Sequence, residues 1–182
     1  AIGEERTLVL CSDDYYKETQ SDSPLVTNLS STMCLDYIAK THSVDIFRSP
    51  VGEANVIKMM EEKNSSIGGE GNGGVIVKDL HLGRDSLIAA TMILNKLSKS
   101  KDSISTLNNN FPKYYMIKNK ISIPDIDLNS FYKSLISKYS DATSDIRDGL
   151  KLTWSNKWIH IRSSNTEPII RIIGEATEQG II

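Results

Sequence analysis

Cysteine and histidine are scarce, and neither is arranged for metal or redox chemistry. The two cysteines, Cys11 and Cys34, form no C-x-x-C pair and read as reduced, structural thiols. His42, His81 and His160 are scattered, which excludes the close ligand spacings of a zinc site. No uninterrupted apolar run is long enough to span a bilayer, and no segment has the order of a secretion signal. Basic runs and basic–aromatic interleaving are also missing, and the formal net charge is -2, so neither nucleic acid nor membrane is an expected partner. The expected location is cytoplasmic, where the acceptor patterns Asn28-Leu29-Ser30 and Asn64-Ser65-Ser66 would carry no glycan. What is present, 39% hydrophobic and 24% charged residues in 182 positions, describes a globular chain of one large or two small domains.

The first half alternates strand and helix signals. Leu8 to Leu10, Leu25 to Thr27 and Val44 to Phe47 read as short strands. Ser30-Ser31-Thr32 precede a helix over 33–40, and Pro50 precedes a second over 51–63. Asp85 caps a third helix, in which Leu87, Ala90, Ile93, Leu94 and Leu97 recur at helical spacing. This order predicts an α/β domain with a mainly parallel sheet over 24–98, residues 1–23 being the remnant of a preceding domain or connection. Residues 99–110, rich in Lys, Ser and Asn, read as a linker. The remainder, 111–182, holds one amphipathic helix, Leu128 to Tyr139, among short extended segments. It predicts a smaller α+β domain with an antiparallel sheet.

Two motifs carry chemistry. In Arg162-Ser163-Ser164-Asn165-Thr166-Glu167-Pro168-Ile169-Ile170-Arg171, two strands flank a turn of small hydrogen-bonding residues. Arg162 and Arg171, with the Ser164, Asn165 and Thr166 side chains and turn amides, fit a phosphate dianion. The same residues fit a plain β-hairpin with Arg171 paired to Glu167 or facing water. Upstream lies Gly68-Gly69-Glu70-Gly71-Asn72-Gly73-Gly74. Gly69, Gly71 and Gly74 satisfy the dinucleotide expression G-x-G-x-x-G, but a strand, Val75-Ile76-Val77, follows where that fold needs a helix. There is no Gly-Lys-Ser/Thr either. A carboxylate in a nearly side-chain-free backbone suits hydrogen bonds from hydroxyls of a closely approaching polar ring; the alternative is a flexible glycine turn.

In the order found, the two motifs resemble those of the α-D-phosphohexomutases, the superfamily of phosphoglucomutase, phosphomannomutase and phosphoglucosamine mutase. Arg162 to Pro168 is similar to the phosphate loop of that family's last domain. The glycine loop resembles its sugar loop, usually Gly-Glu-x-Ser-Gly-His, with Asn72 at the serine and Gly74 at the histidine position. The resemblance implies phosphoryl transfer between two hydroxyls of one hexose through a bisphosphate, with a phosphoserine donor and Mg2+. It implies that Gly69, Glu70, Gly71 and Asn72 meet the sugar, and that Arg162, Ser164, Asn165, Thr166 and Arg171 hold the non-reacting phosphate. Arg48-Ser49-Pro50-Val51-Gly52-Glu53 resembles a substrate-side loop, with Arg48 either a phosphate contact or a strand-end surface charge. Gly83-Arg84-Asp85 also resembles a family segment and is taken as a turn with a helix cap.

The resemblance covers the family's last two domains. No Thr-Ala-Ser-His-Asn-Pro-like serine segment occurs, so no catalytic residue is assigned. The magnesium motif Asp-x-Asp-x-Asp-Arg corresponds at most to Ala1–Arg6, where only Glu5 and Arg6 fit, so no metal ligand is assigned and Mg2+ is expected only in a full-length enzyme. The expected partners are a hexose phosphate, glucosamine or mannose phosphate favoured, and the missing N-terminal domains. Two readings stand at this point: the recognition half of a phosphohexomutase, or a non-catalytic sugar-phosphate-binding relative.

Overall fold

The computed structural model describes residues 2–122, 127–164 and 167–181. The chain divides into two compact units, Ala1–Lys113 and Tyr114–Ile182.

The first unit is built on a four-stranded sheet of β1 (Leu25–Asn28), β2 (Ile46–Ser49), β3 (Ile67–Glu70) and β4 (Gly74–Val77), in the order β2-β1-β3-β4. β2 and β3 run parallel to β1, and β4 returns antiparallel to β3. Helix α2 (Cys34–His42) connects β1 to β2, and α3 (Glu53–Glu62) carries the chain back across β1 to β3. These crossovers leave in opposite directions, so right-handed connections put their helices on opposite faces. Val56 and Met60 of α3 pack on Val26 and Ile76 on one face. Contacts of α1 (Glu5–Thr19) with α2, α4 (Ser86–Lys99), β3 and β4 form the other layer. A short helix, α5 (Ile104–Asn109), buries Leu107 and is capped by Ser103, whose hydroxyl accepts from the Thr106 amide at 3.2 Å.

Several sequence readings change here. Leu8 to Leu10 is not a strand, and 1–23 is not a remnant: α1 buries Leu8 to Asp14 and Tyr16 within the unit. An apolar run covered on several sides has no helical stripe, so its period is silent. Residues 99–110 are no linker, since they hold the end of α4 and all of α5, and the boundary between units falls after Lys113. The fold class is as expected: a mainly parallel α/β unit, then an antiparallel α+β unit.

The second unit is a five-stranded antiparallel sheet, ordered β5-β9-β8-β7-β6. Its strands are β5 (Tyr115–Ser122), β6 (Thr143–Asp145), β7 (Leu150–Thr153), β8 (Lys157–Ser163) and β9 (Ile169–Ala176). Helix α6 (Leu128–Lys138) begins at Asp127, whose carboxylate accepts from the Asn129 and Ser130 amides. An apolar pocket of about 440 Å³ lies where Phe131, Leu135 and Tyr139 approach Ile159 and Ile161. No described helix is long and apolar enough to cross a membrane.

Asp13 explains how α1 can bury charge. Its Oδ2 accepts from Lys17 at 2.8 Å and Lys96 at 3.2 Å, and its Oδ1 lies 3.1 Å from His42. Burial pushes the Asp13 carboxyl up, but hydrogen bonds from Lys17 and His42 and the Lys17 and Lys96 charges outweigh it and hold it below the usual carboxylate range. Such a group contributes stability that is present above the unfolded pKa and lost as pH falls below about 4. Asp13→Ala is expected to lower stability by about 3 kcal/mol in urea unfolding, the lower end for a broken buried pair because Asp14 still faces Lys96. The half-exposed Glu18–Lys99 pair is the control, with Glu18→Ala expected to cost less than about 1 kcal/mol.

Candidate functional site

In open α/β sheets ligands bind beyond the carboxyl ends of the strands where the strand order reverses. That point lies between β1 and β3, whose last residues are Asn28 and Glu70. Glu70 is 4% exposed. Its Oε1 accepts from Asn28 Nδ2 at 2.8 Å and from the Gly52 amide at 3.0 Å, while its Oε2 lies 3.3 Å from Arg84 Nη1. Asn28 is oriented in turn, because its Oδ1 accepts from the Ser30 amide and the Ser31 hydroxyl. Gly52 stands at the N-terminus of α3, so the carboxylate also meets the positive end of a helix.

The glycine loop is the turn of the β3–β4 hairpin rather than an open backbone trough. Gly69 and Gly71 are buried: a Cβ on Gly71 would fall on the Glu5 carboxylate, and one on Gly69 on the Gly74 carbonyl oxygen. The missing side chains make room for the protein's own groups. Asn72 is exposed, and its Oδ1 accepts from the Gly74 amide at 3.3 Å. Arg48 is already committed: Nη1 donates to the Asn28 and Ser31 carbonyls, and Nη2 to the Thr32 carbonyl and to Asp36 at 2.7 Å. It braces the loop after β1 and has no terminal nitrogen to offer a phosphate.

Sequence reasoning passed over Arg84. Its amide donates to Glu53 Oε1 at 2.8 Å and its Nε to Oε2 at 3.0 Å. These backbone and side-chain bonds from Arg84 hold the Glu53 carboxyl below the usual range. Asp85 caps α4 as expected, through the Leu87 and Ile88 amides. Asp85 drew attention because capping is local; Arg84 meets residues far away in sequence.

In the second unit β8 and β9 set Arg162 directly opposite Arg171, and β5 sets Lys120 opposite Arg171. Opposed side chains share a face, so three cations form a row across three strands, an arrangement that disfavours itself. The carboxylates answering it are Asp148, which accepts from Arg162 Nε at 3.0 Å, and Glu167, which accepts from Arg171 Nη2 at 2.7 Å. The Arg171–Glu167 pairing of the plain hairpin is therefore present. Asp148 was missed because it comes from the β6–β7 turn, where Gly149, at φ 78°, lets the chain lie against Arg162; a Cβ there would strike the Ile161 carbonyl oxygen. Arg162 is 6% exposed, and among the described residues Asp148 engages only its Nε. The Ser164 amide donates to the Ile169 carbonyl. Asn165 and Thr166 lie outside the described residues.

No group of three or more His, Cys, Asp or Glu among the described residues is placed to hold a metal ion. At the segment matched to the magnesium motif, Glu5 Oε2 accepts from the Thr32 amide at 3.2 Å. Arg6 donates to Cys34 Sγ and the Pro112 carbonyl. These residues do not fit Mg2+, which asks for several oxygen ligands.

Polar strand ends gather at the switch point of the first unit, and opposed arginines mark the sheet of the second. Residues 4–115 match the family profile described as phosphoglucomutase/phosphomannomutase, alpha/beta/alpha domain III. A Thermococcus kodakarensis phosphoglucomutase/phosphomannomutase is 34% identical over 181 residues, covering 96% of this chain and 38% of its own length. A Sulfurisphaera tokodaii phosphoglucosamine/phosphogalactosamine mutase is 28% identical, over 91% of this chain and 37% of that protein. Among solved structures, a Burkholderia thailandensis phosphoglucomutase/phosphomannomutase family protein shares the fold with a TM-score of 0.83 at 22% identity, covering 98% of this chain and 38% of that one. The chain belongs to the phosphoglucomutase/phosphomannomutase family and spans under two fifths of the length of these relatives.

His160 provides a check on the second unit. Its Nε2 lies 2.6 Å from the Asp148 carbonyl oxygen, and burial pulls the imidazole below its ordinary value of 6.5. The unfolded chain then binds the extra proton first, so this contribution to stability is complete above pH 6.5 and falls away as pH drops through and below it. Thermal unfolding between pH 7.5 and 5 is expected to show this loss, with a shallower slope in His160→Asn.

Proposed function

We propose that this chain is the sugar- and phosphate-recognising part of a phosphohexomutase, an isomerase that interconverts hexose 6-phosphate and hexose 1-phosphate through a bisphosphate. The observation that carries the reading is the Lys120–Arg171–Arg162 row, three cations answered, among the described residues, by two carboxylates. An anion bound there relieves a repulsion that the fold itself leaves in place. Family membership supports reading that anion as the phosphate of a hexose phosphate. Arg162, Ser164, Asn165, Thr166 and Arg171 are its ligands in this reading. Glu70 accepts from sugar hydroxyls, with Gly69, Gly71 and Asn72 shaping its loop and Gly52 holding the carboxylate through its amide. Glucosamine or mannose phosphate is the favoured substrate in this reading; both occur in the relatives' names, beside glucose and galactosamine.

Binding the non-reacting groups is a catalytic contribution in its own right, because remote binding energy orients the reacting end for in-line transfer. Phosphoryl transfer and the Mg2+ that assists it belong, in this proposal, to other domains of the full-length enzyme. The 182-residue chain is then expected to bind hexose phosphates without converting them. Calorimetric titration with mannose 6-phosphate, glucosamine 6-phosphate and inorganic phosphate tests the clamp. Arg162→Ala and Arg171→Ala should each weaken all three by about 1.5–3 kcal/mol, the scale of a charge-assisted hydrogen bond. Unchanged affinity in both variants would remove the phosphate assignment, and turnover by the pure chain would remove the division of labour.

A further inference from the structure

Arg84 does two things at once. Its stem lies where a side chain at position 74 would be: a Cβ on Gly74 would fall on Arg84 Cδ and within 2.8 Å of its Cγ. Its head reaches Glu53 through Nε at 3.0 Å and Glu70 through Nη1 at 3.3 Å. Nη2 has no partner among the described residues, and the side chain is 38% exposed.

We infer that Arg84 is a sugar-specificity residue, which forms with Glu70 a donor–acceptor pair for neighbouring hydroxyls of the hexose; this rests on the functional reading above. A hydroxyl both donates and accepts, whereas a carboxylate only accepts. Glu70 Oε1 is already engaged by Asn28 and Gly52, so its open capacity lies at Oε2, on the side of Arg84. A hydroxyl that donates to Oε2 meets a guanidinium with a free N–H, and the next hydroxyl of a diol can accept from it. The bonds to Glu53 and Glu70 brace α3 to the hairpin and fix the direction of the guanidinium, so the N–H groups they leave over are presented beside Oε2. The glycine at position 74 belongs to the same device, because any larger residue there displaces the stem. A site built on such pairing discriminates strongly against ligands that lack the hydroxyls.

The test is calorimetric titration of the whole chain with mannose 6-phosphate and, separately, inorganic phosphate, with thermal unfolding alongside. Arg84→Met keeps a stem over Gly74 and removes the donors. It is expected to weaken mannose 6-phosphate by about tenfold to a hundredfold, as for a lost charge-assisted bond, and to leave inorganic phosphate unchanged. Gly74→Ala, which pushes the stem aside while keeping the guanidinium in the chain, is expected to show the same selective loss and serves if Arg84→Met does not fold. Arg84→Lys should recover part of the affinity. Unchanged mannose 6-phosphate affinity in Arg84→Met and Gly74→Ala overturns the inference alone, as does an equal loss for both ligands. A wild-type chain that binds inorganic phosphate but no hexose phosphate overturns the functional reading of the loop, and this inference with it.

Discussion

A carboxylate buried at the end of β3 is the constraint around which the first unit is arranged. An ionised side chain 4% exposed is tolerated only if its oxygens are matched. Glu70 is matched by groups from three other places in the chain: the end of β1, the start of α3 and the loop before α4. The two side-chain partners are fixed in turn, Asn28 by Ser30 and Ser31, Arg84 by Glu53. Arg48, which sequence alone leaves open as a ligand contact, anchors the backbone that carries Asn28. The strand ends at the switch point are thus held by hydrogen bonds with low freedom, which favours precise orientation of whatever meets Glu70.

The second unit inverts this logic. Its opposed arginines and Lys120 exceed the carboxylates that answer them among the described residues, and Asp148 reaches Arg162 only because Gly149 allows a tight turn against β8. Where the first unit satisfies a negative charge from within, the second leaves positive charge in excess. Elsewhere the same sheet closes its electrostatics: the Trp158 indole N–H donates to Glu175 at 3.1 Å, and Lys151 lies 4.4 Å over its ring. Within one strand, then, Trp158 is internally complete and Arg162 is not.

Much of this was legible in the sequence because the signals were local. Helices α2, α3, α4 and α6 carry caps, breaks or helical spacing within a few residues, and the two arginines flank one short turn. What was lost was non-local. The buried α1 offers an apolar run followed by Ser12, Asp13 and Asp14, and beyond the local Lys17 it takes the distant partners His42 and Lys96 to make sense of two buried acids. Asp148, fourteen residues before Arg162, and Arg84, fourteen after Glu70, are ordinary turn residues until the sheet brings them in. The glycine loop was read with the wrong geometry: its glycines admit Glu5 and Arg84 rather than an open ring-sized approach.

The packing of α1 also sets where the chain can be cut. A shortened protein beginning at residue 24 would keep every strand of the first sheet. It would strip the face that Leu8 covers, and leave Lys96 beside an empty groove with both of its carboxylates gone. A cut within 99–110 would sever α5 or detach it from α4, and unseat Leu107. The usable seam lies between Lys113 and Tyr114, so a dissected α/β module must carry its leading helix and its trailing turn, and its expression boundaries are decided by burial rather than by composition.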